Sequence, residues 1–250
     1  MIEIVALQEF PEVSPGDDLV HIIANALARA KLRLTAADAI VVTSKIVSKA
    51  ENRFVKLADV GVSVAASELS QATRKDARLV QLILNESSAV VRSAPNVLIT
   101  RHRLGLVMAN AGIDASNTGP DRQDQVLLLP RDPDASAAGV RRGLMAQGCD
   151  AAVILSDSFG RPWRLGVVNV AIGASGVLSL VDRRGERDRD GRTLEVTQVA
   201  QADMIASAAG LLGGEGSEGC PVIVVRNALS RPGDSGAATL IRQQSEDLFS

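Results

Sequence analysis

The sequence predicts a mixed α+β fold, with largely antiparallel sheets and packed helices. Three observations point there. Strand-like apolar runs recur along the whole chain, helix-period stripes are confined to four segments, and the short runs between residues 89 and 109 follow one another with little helix between them. A doubly wound sheet would instead alternate strand and helix throughout.

Ile2 to Leu7 alternates and reads as a strand. Pro15-Gly16-Asp17 turns the chain, and Asp18 to Lys31 places Leu19, Ile22, Ile23, Ala26 and Leu27 at helical spacing, with His21 off that stripe and at the surface. Ala39 to Thr43 reads as a strand and Asp76 to Glu86 as a helix. Ala89 to Arg92, Val97 to Thr100 and Leu106 to Ala109 are short strands of antiparallel character, followed by Val126 to Leu129. Asp132 to Asp134 are helix-start residues and Gly148 is a stop, which predicts a helix between them. Strands are expected at Ala151 to Leu155, Val167 to Ile172 and Val177 to Val181, a small-residue helix at Thr197 to Leu212, and a last strand at Pro221 to Arg226. There is no internal repeat. Residues 1–250 read as one domain, with 227–250 tail-like around Arg231-Pro232-Gly233.

A chain of 250 residues can bury a full core without staples. Aromatic residues are only 2% of it and tyrosine is absent, so Ala, Val, Leu and Ile fill the interior and stacking platforms for bases are lacking. With 27 basic against 29 acidic residues there is no bulk field to hold a nucleic-acid backbone or an anionic membrane, so the ligand is expected to be small. MIEIVALQEF lacks a basic region and a long apolar core, and no run approaches the ~20 apolar residues of a span, which predicts a cytoplasmic protein. Cys149 and Cys220 belong to no CxxC pair and abut predicted strands, so two buried thiols are expected.

Chemistry concentrates in four polar segments beside strands. In VILSDSFGRPWRLG an apolar run breaks into Ser156, Asp157 and Ser158, then Gly160, Arg161, Pro162, Trp163 and Arg164. Asp157 and Ser158 offer adjacent oxygen ligands, and the two arginines offer forks for phosphate or carboxylate, a combination suited to a metal with an anion. A tight turn whose Asp caps the next element would read the same way. Thr43 to Glu51 sets Lys45 and Lys49 among hydroxyls, Ala109 to Asn117 sets Asp114 and Asn117 in a small-residue loop, and Gly214 to Gly219 carries Glu215 and Glu218. Each alone fits a capped turn. Together they supply Lys, Asp, Asn, Ser, Arg and Glu without cysteine or paired histidine, a set that selects Mg²⁺ or Mn²⁺ over zinc.

Gly214 to Gly219 formally satisfies GxGxxG, but it follows a predicted helix and precedes a strand, the reverse of the dinucleotide fingerprint. No GxxxxGK[ST] occurs, which excludes a P-loop. His102 has no fixed Ser or Cys partner, so a hydrolytic triad is unsupported. Asp182 to Arg192 alternates charge signs and fits either a solvated hairpin or a flap of arginines over an anionic substrate.

With these segments in view, the chain resembles the coenzyme F420-0:L-glutamate ligase family (F420 gamma-glutamyl ligases) along almost its whole length. SKIVSKAE at 44–51, MANAGIDASN at 108–117, LPRDPDA at 129–135, SDSFGRPWR at 156–164 and GGEGSEGCP at 213–221 stand in the family's order and spacing. The resemblance implies a GTP-dependent, divalent-metal-dependent amide ligase that adds L-glutamate to the deazaflavin precursor F420-0, folded as an intertwined homodimer of two-lobed chains. It implies one metal on Asp114 and Asp157 and another on Ser158 and Glu215, and it allows for a monovalent cation. It implies GTP contacts from Ser44, Lys45, Lys49, Asn117 and the loop Gly213, Gly214, Glu215, Gly216, Ser217, Glu218, Gly219 and Cys220, with Phe10, Pro11, Glu12 and Val13 as a further nucleotide contact.

Three departures from the family pattern keep the required atom types. Ser158 stands where the family more usually has Thr, Glu215 where Gln is common, and Asn52 where Gly is usual, and Asn tolerates positive φ. The flavin-binding reductase domain that some bacterial relatives carry is not part of the resemblance, which implies a chain that ligates only. Because a carboxylate is a poor electrophile, the expected chemistry is phosphoryl transfer from GTP to form an acyl phosphate, with Arg161 and Arg164 stabilising the phosphoryl group or holding a substrate carboxylate. A metal-dependent phosphohydrolase and a non-catalytic nucleotide-binding module are the competing readings.

Overall fold

The computed structural model describes residues 1–116, 122, 124–229 and 233–247. Its first half contains β1 (Glu3–Ala6), α1 (Leu19–Arg29), β2 (Ala39–Thr43), α2 (Ser44–Ala50), β3 (Phe54–Lys56), α3 (Val64–Thr73), α4 (Ala77–Asn85), β4 (Ser87–Ala94), β5 (Val97–His102) and β6 (Val107–Ala109). The second half contains β7 (Gln125–Leu127), α5 (Pro133–Ala146), β8 (Ala152–Arg161), β9 (Arg164–Ser175), β10 (Leu180–Asp182), β11 (Gln198–Ala200), α6 (Gln201–Gly213) and β12 (Val222–Arg226). The mixed α+β class holds. Antiparallel pairs dominate, and β2 with β8 is the parallel pair.

The larger lobe is a five-stranded sheet in the order β1-β12-β2-β8-β9, covered on both faces. Strand alternation divides its core. Ile40, Val42, Val153 and Leu155 face α1 and α5, while Ala39, Val41, Ala152 and Ile154 face α6. Asp18 caps α1 by accepting the His21 N–H at 3.1 Å, and Leu19, Ile23, Ala26 and Leu27 form the buried stripe. Asp132 caps α5, whose first residue is Pro133, where a missing N–H costs nothing. Gly173 lets β9 pass directly against that turn, because a Cβ there would collide with the Pro133 carbonyl. The alanines of α6 (Ala202, Ala206, Ala209) are fully buried and bring the helix close to the sheet.

The smaller lobe packs α3 and α4 against the antiparallel β4-β5-β6 meander around Ala66, Val80, Ile83, Leu98 and Ala111. Glu86, at the end of α4, gathers Arg53 at 3.0 Å, Arg103 at 3.3 Å and the buried His102 at 3.6 Å. Arg53 Nε also donates to the Leu129 carbonyl at 2.8 Å, so this cluster ties the lobes together.

Several sequence expectations need correction. The strand expected to end at Leu155 continues to Arg161, because β9 pairs with it residue by residue from Ser156↔Ala171 to Gly160↔Val167. Ser44 to Ala50 is a helix rather than a loop, with Ile46 and Val47 buried. α3 was not expected, since its apolar spacing is too sparse to signal a helix. Val177–Val181 is strand only from Leu180, and the segment beginning at Thr197 is strand before it is helix. Cys220 is buried, but Cys149 is half-buried in the turn leaving α5.

The described part of the C-terminal segment packs on the body. Ala237 is in the core, its N–H donates to Asp134 Oδ1 at 2.7 Å, and Asp247 pairs with Arg101 at 3.1 Å. Asp182 to Arg192 lies in an exposed excursion between β10 and β11, closed by the Gly185 N–H on the Leu194 carbonyl at 2.8 Å, as a solvated hairpin would be. Among the described residues no helix is long and apolar enough to cross a membrane.

Candidate active site

The parallel pair β2–β8 fixes the centre of the site. Thr43 pairs with Ser156, so the next residues, Ser44 and Asp157, come together, and Ser44 Oγ donates to Asp157 Oδ1 at 3.2 Å. Removal from water pushes the Asp157 carboxyl up to about 7, and the nearby Asp114 carboxylate adds to the rise against the Ser158 N–H and the Ser44 hydroxyl. Such a carboxyl gains from a cation placed beside it.

Asp114 enters from the other lobe, held by reciprocal backbone bonds with Leu127 at 2.9 and 2.8 Å. Its Oδ2 meets Lys45 Nζ at 2.7 Å, and its Oδ1 accepts the Ser116 N–H and hydroxyl at 2.6 and 2.7 Å. Burial alone would raise its pKa, but Lys45 and Ser116 override this and hold it below the ordinary value. Two residues earlier Gly112, at φ +68, lets the loop lie flat against Met108 and Leu129, which a Cβ would strike at 2.7 and 2.9 Å.

Opposite, Ser158 Oγ lies 2.8 and 2.7 Å from the two Glu215 carboxylate oxygens and 3.3 Å from Asn169 Oδ1. Glu215 belongs to the glycine loop between α6 and β12, where Glu218 curls back to accept the Gly216 N–H at 2.8 Å. Lys49 is buried within α2 and is paired with Glu12, whose side chain is 74% exposed. A buried ammonium needs a partner, because leaving one unpaired costs several kcal/mol, and an anion entering the cleft has only an exposed carboxylate to displace.

These groups line one cleft of about 580 Å³. Phe10, Pro11, Glu12, Val13, Ser44, Lys45, Lys49, Asp114, Asp157, Ser158 and the whole loop from Gly213 to Cys220 are all on its walls. Asn117 lies outside the described residues. Arg161 and Arg164 do not line the cleft; they sit at the tip of the β8–β9 hairpin, where Arg161 Nη2 donates to the Leu165 carbonyl at 2.9 Å. The sequence reading missed Asn169. A lone amide inside the apolar run VVNVAI was its only signal.

Among the described residues no group of three or more His, Cys, Asp or Glu clusters as a metal cage. Mg²⁺ does not need one, since it is commonly held by one or two carboxylates together with substrate phosphates and water. The Asp114–Asp157 pair and the Ser158–Glu215 pair fit that requirement with oxygen donors throughout. The cleft therefore joins acidic oxygens to two lysines and a glycine loop, the parts that phosphoryl transfer uses.

Residues 8–227 match the F420-0:Gamma-glutamyl ligase family. The chain belongs to this family. It is 44% identical to the coenzyme F420:L-glutamate ligase of Methanopyrus kandleri, over 99% of this chain and 96% of that protein. It is 40% identical to the ligase of the same name from Methanothermobacter thermautotrophicus, over 99% and 98% of the two chains. The Archaeoglobus fulgidus ligase of that name is 39% identical, over 99% and 96%. The family match spans both lobes, so it covers every wall of the cleft. Asn52 adopts φ 52°, in the left-handed region that Asn tolerates.

Proposed function

We propose that this protein is a ligase that forms an amide between L-glutamate and F420-0, using GTP and divalent metal. One observation carries the reading: in a family whose named members are F420:L-glutamate ligases, the cleft gathers two acid–oxygen pairs, two lysines and a glycine loop.

Lys45 and Lys49 receive the GTP phosphates, and the Gly213–Cys220 loop and the Phe10–Val13 segment hold the rest of the nucleotide. Asp114 and Asp157 would hold one Mg²⁺ or Mn²⁺, and Ser158 and Glu215 a second. Bound there, the ions would neutralise charge on the transferring phosphoryl group. The acceptor carboxylate oxygen forms a bond to the γ-phosphorus as the bond to the bridging oxygen breaks, and GDP leaves. The glutamate amine then attacks the acyl carbon, loses a proton, and expels inorganic phosphate. The residues of the cleft act by positioning and by charge, and they keep water from competing as acceptor.

The same reading includes a homodimer in the cytoplasm. Support for association is the hairpin tip, where Trp163 is 82% and Leu165 98% exposed, with Leu211 80% exposed on α6. Arg161 and Arg164 ride on that tip, so a role in phosphoryl transfer requires the second copy to bring the tip to a cleft.

Turnover in H₂¹⁸O tests the chemistry. An acyl-phosphate ligase releases phosphate without solvent oxygen, its fourth oxygen coming from the acceptor carboxylate. Incorporation of ¹⁸O into phosphate at every turnover would mark a phosphohydrolase instead.

A further inference from the structure

A second cavity, of about 380 Å³, adjoins the cleft, and Phe159 lines both. On β6, Val107 lines the second cavity and Met108 the first; on β9, Val170 and Ala171 line the second and Asn169 the first.

The second cavity has the character of a small-molecule site. Its volume lies within the ~300–1,000 Å³ of such pockets, and its walls are mostly apolar with a few polar groups. Leu106, Val107, Val170 and Ile241 supply the apolar walls. Arg101 reaches it while tied to Asp247, and Asp203 lies on it with one oxygen accepting the Ala171 N–H at 2.9 Å. Arg242 also lines it and, among the described residues, has neither a hydrogen-bond nor an ion-pair partner.

The first cleft already has a nucleoside triphosphate, its ions and glutamate to accommodate. A bulky acceptor must place its body elsewhere while its carboxylate meets the γ-phosphate. A flat heteroaromatic ring suits the neighbouring slot, because it offers broad apolar faces and carbonyl and N–H groups at its edge for arginine and aspartate to meet.

We propose that this second cavity is the acceptor subsite, holding the deazaflavin ring of F420-0 while the acceptor carboxylate passes Phe159 into the cleft. This rests on the ligase reading. Arg242 is a specificity-determining contact to the acceptor, and Val91, on β4, forms part of the cavity wall.

The probe is F420-0 itself, followed by its fluorescence on titration with protein free of GTP and glutamate. Val91 is 37% exposed and Arg242 is exposed, so Val91→Trp and Arg242→Glu should fold, and GTP affinity by calorimetry checks that they do. Each variant is expected to weaken F420-0 binding by about tenfold or more while GTP binds as in the parent. Undiminished F420-0 binding in either folded variant, or no F420-0 binding by the parent, overturns the subsite. A parent that binds F420-0 with this dependence yet forms no amide would sink the ligase reading and leave the subsite standing.

Discussion

Lys45 Nζ and Asp114 Oδ2 form a 2.7 Å ion pair inside the cleft, joining the lysine assigned to phosphate with the carboxylate assigned to metal. In the proposed function the two roles would compete: a cation held by Asp114 would take the place of Lys45, whose ammonium would then be available to phosphate. Lys45→Met should weaken GTP binding by about tenfold, the scale of one charge-assisted contact, while leaving Mn²⁺ binding without nucleotide unchanged or tighter. Calorimetry of each ligand separately checks this, and a parallel loss of both affinities would contradict the pairing of roles.

The proposed function gives Asp157 a role through its charge rather than in stability. Among the described residues its side chain meets the Ser44 hydroxyl, and burial opposes its ionisation. Asp157→Asn should lower metal-dependent turnover by roughly a hundredfold or more, with no fall in the metal-free melting temperature. A destabilised variant that keeps normal turnover would make Asp157 a structural residue.

At Ser158 the proposed function rests on the hydroxyl rather than on the side-chain shape. Ser158→Thr keeps the oxygen near Glu215 and Asn169 and should retain most activity, whereas Ser158→Ala should lose it, with a raised metal requirement. Equal metal titration curves for alanine and serine would remove this hydroxyl from the site.

The order of the chain made much of this legible. The alternation of Ala39 to Thr43, the stripe of α1 and the capped start of α5 are local signals, and the residues after Thr43 reach the cleft because Thr43 lies beside Ser156 of β8. Pairing that depends on distant partners was not legible. β8 runs on through Asp157 and Ser158 because β9 supplies its hydrogen bonds, and this turns an expected loop into a hairpin that carries Arg161 and Arg164 away from the cleft. Asn169 was hidden for the same reason, since only the register Ser158↔Asn169 shows its purpose. α3 escaped notice because its buried residues are two, Ala66 and Thr73, too few to make an apolar stripe.

The inter-lobe cluster predicts a pH dependence of stability. His102, Arg103 and Arg53 hold the Glu86 carboxyl at about 2, below its ordinary 4.5. Its contribution, on the order of 2–3 kcal/mol, is complete above the unfolded value and is lost as pH falls through the folded one. Glu86→Gln should therefore destabilise the protein at pH 7 in urea titrations, with the difference from the parent shrinking between about pH 5 and pH 2. A difference that stays constant across that window would contradict the assignment.

The most direct measurement of the central claim is mass spectrometry of F420-0 after incubation with the protein, GTP, Mg²⁺ or Mn²⁺ and L-glutamate. The account predicts a coenzyme heavier by one glutamyl residue, formed in step with GDP and phosphate, and little GTP cleavage when either acceptor is left out. GTP cleavage that ignores glutamate, with no gain in mass, would contradict it.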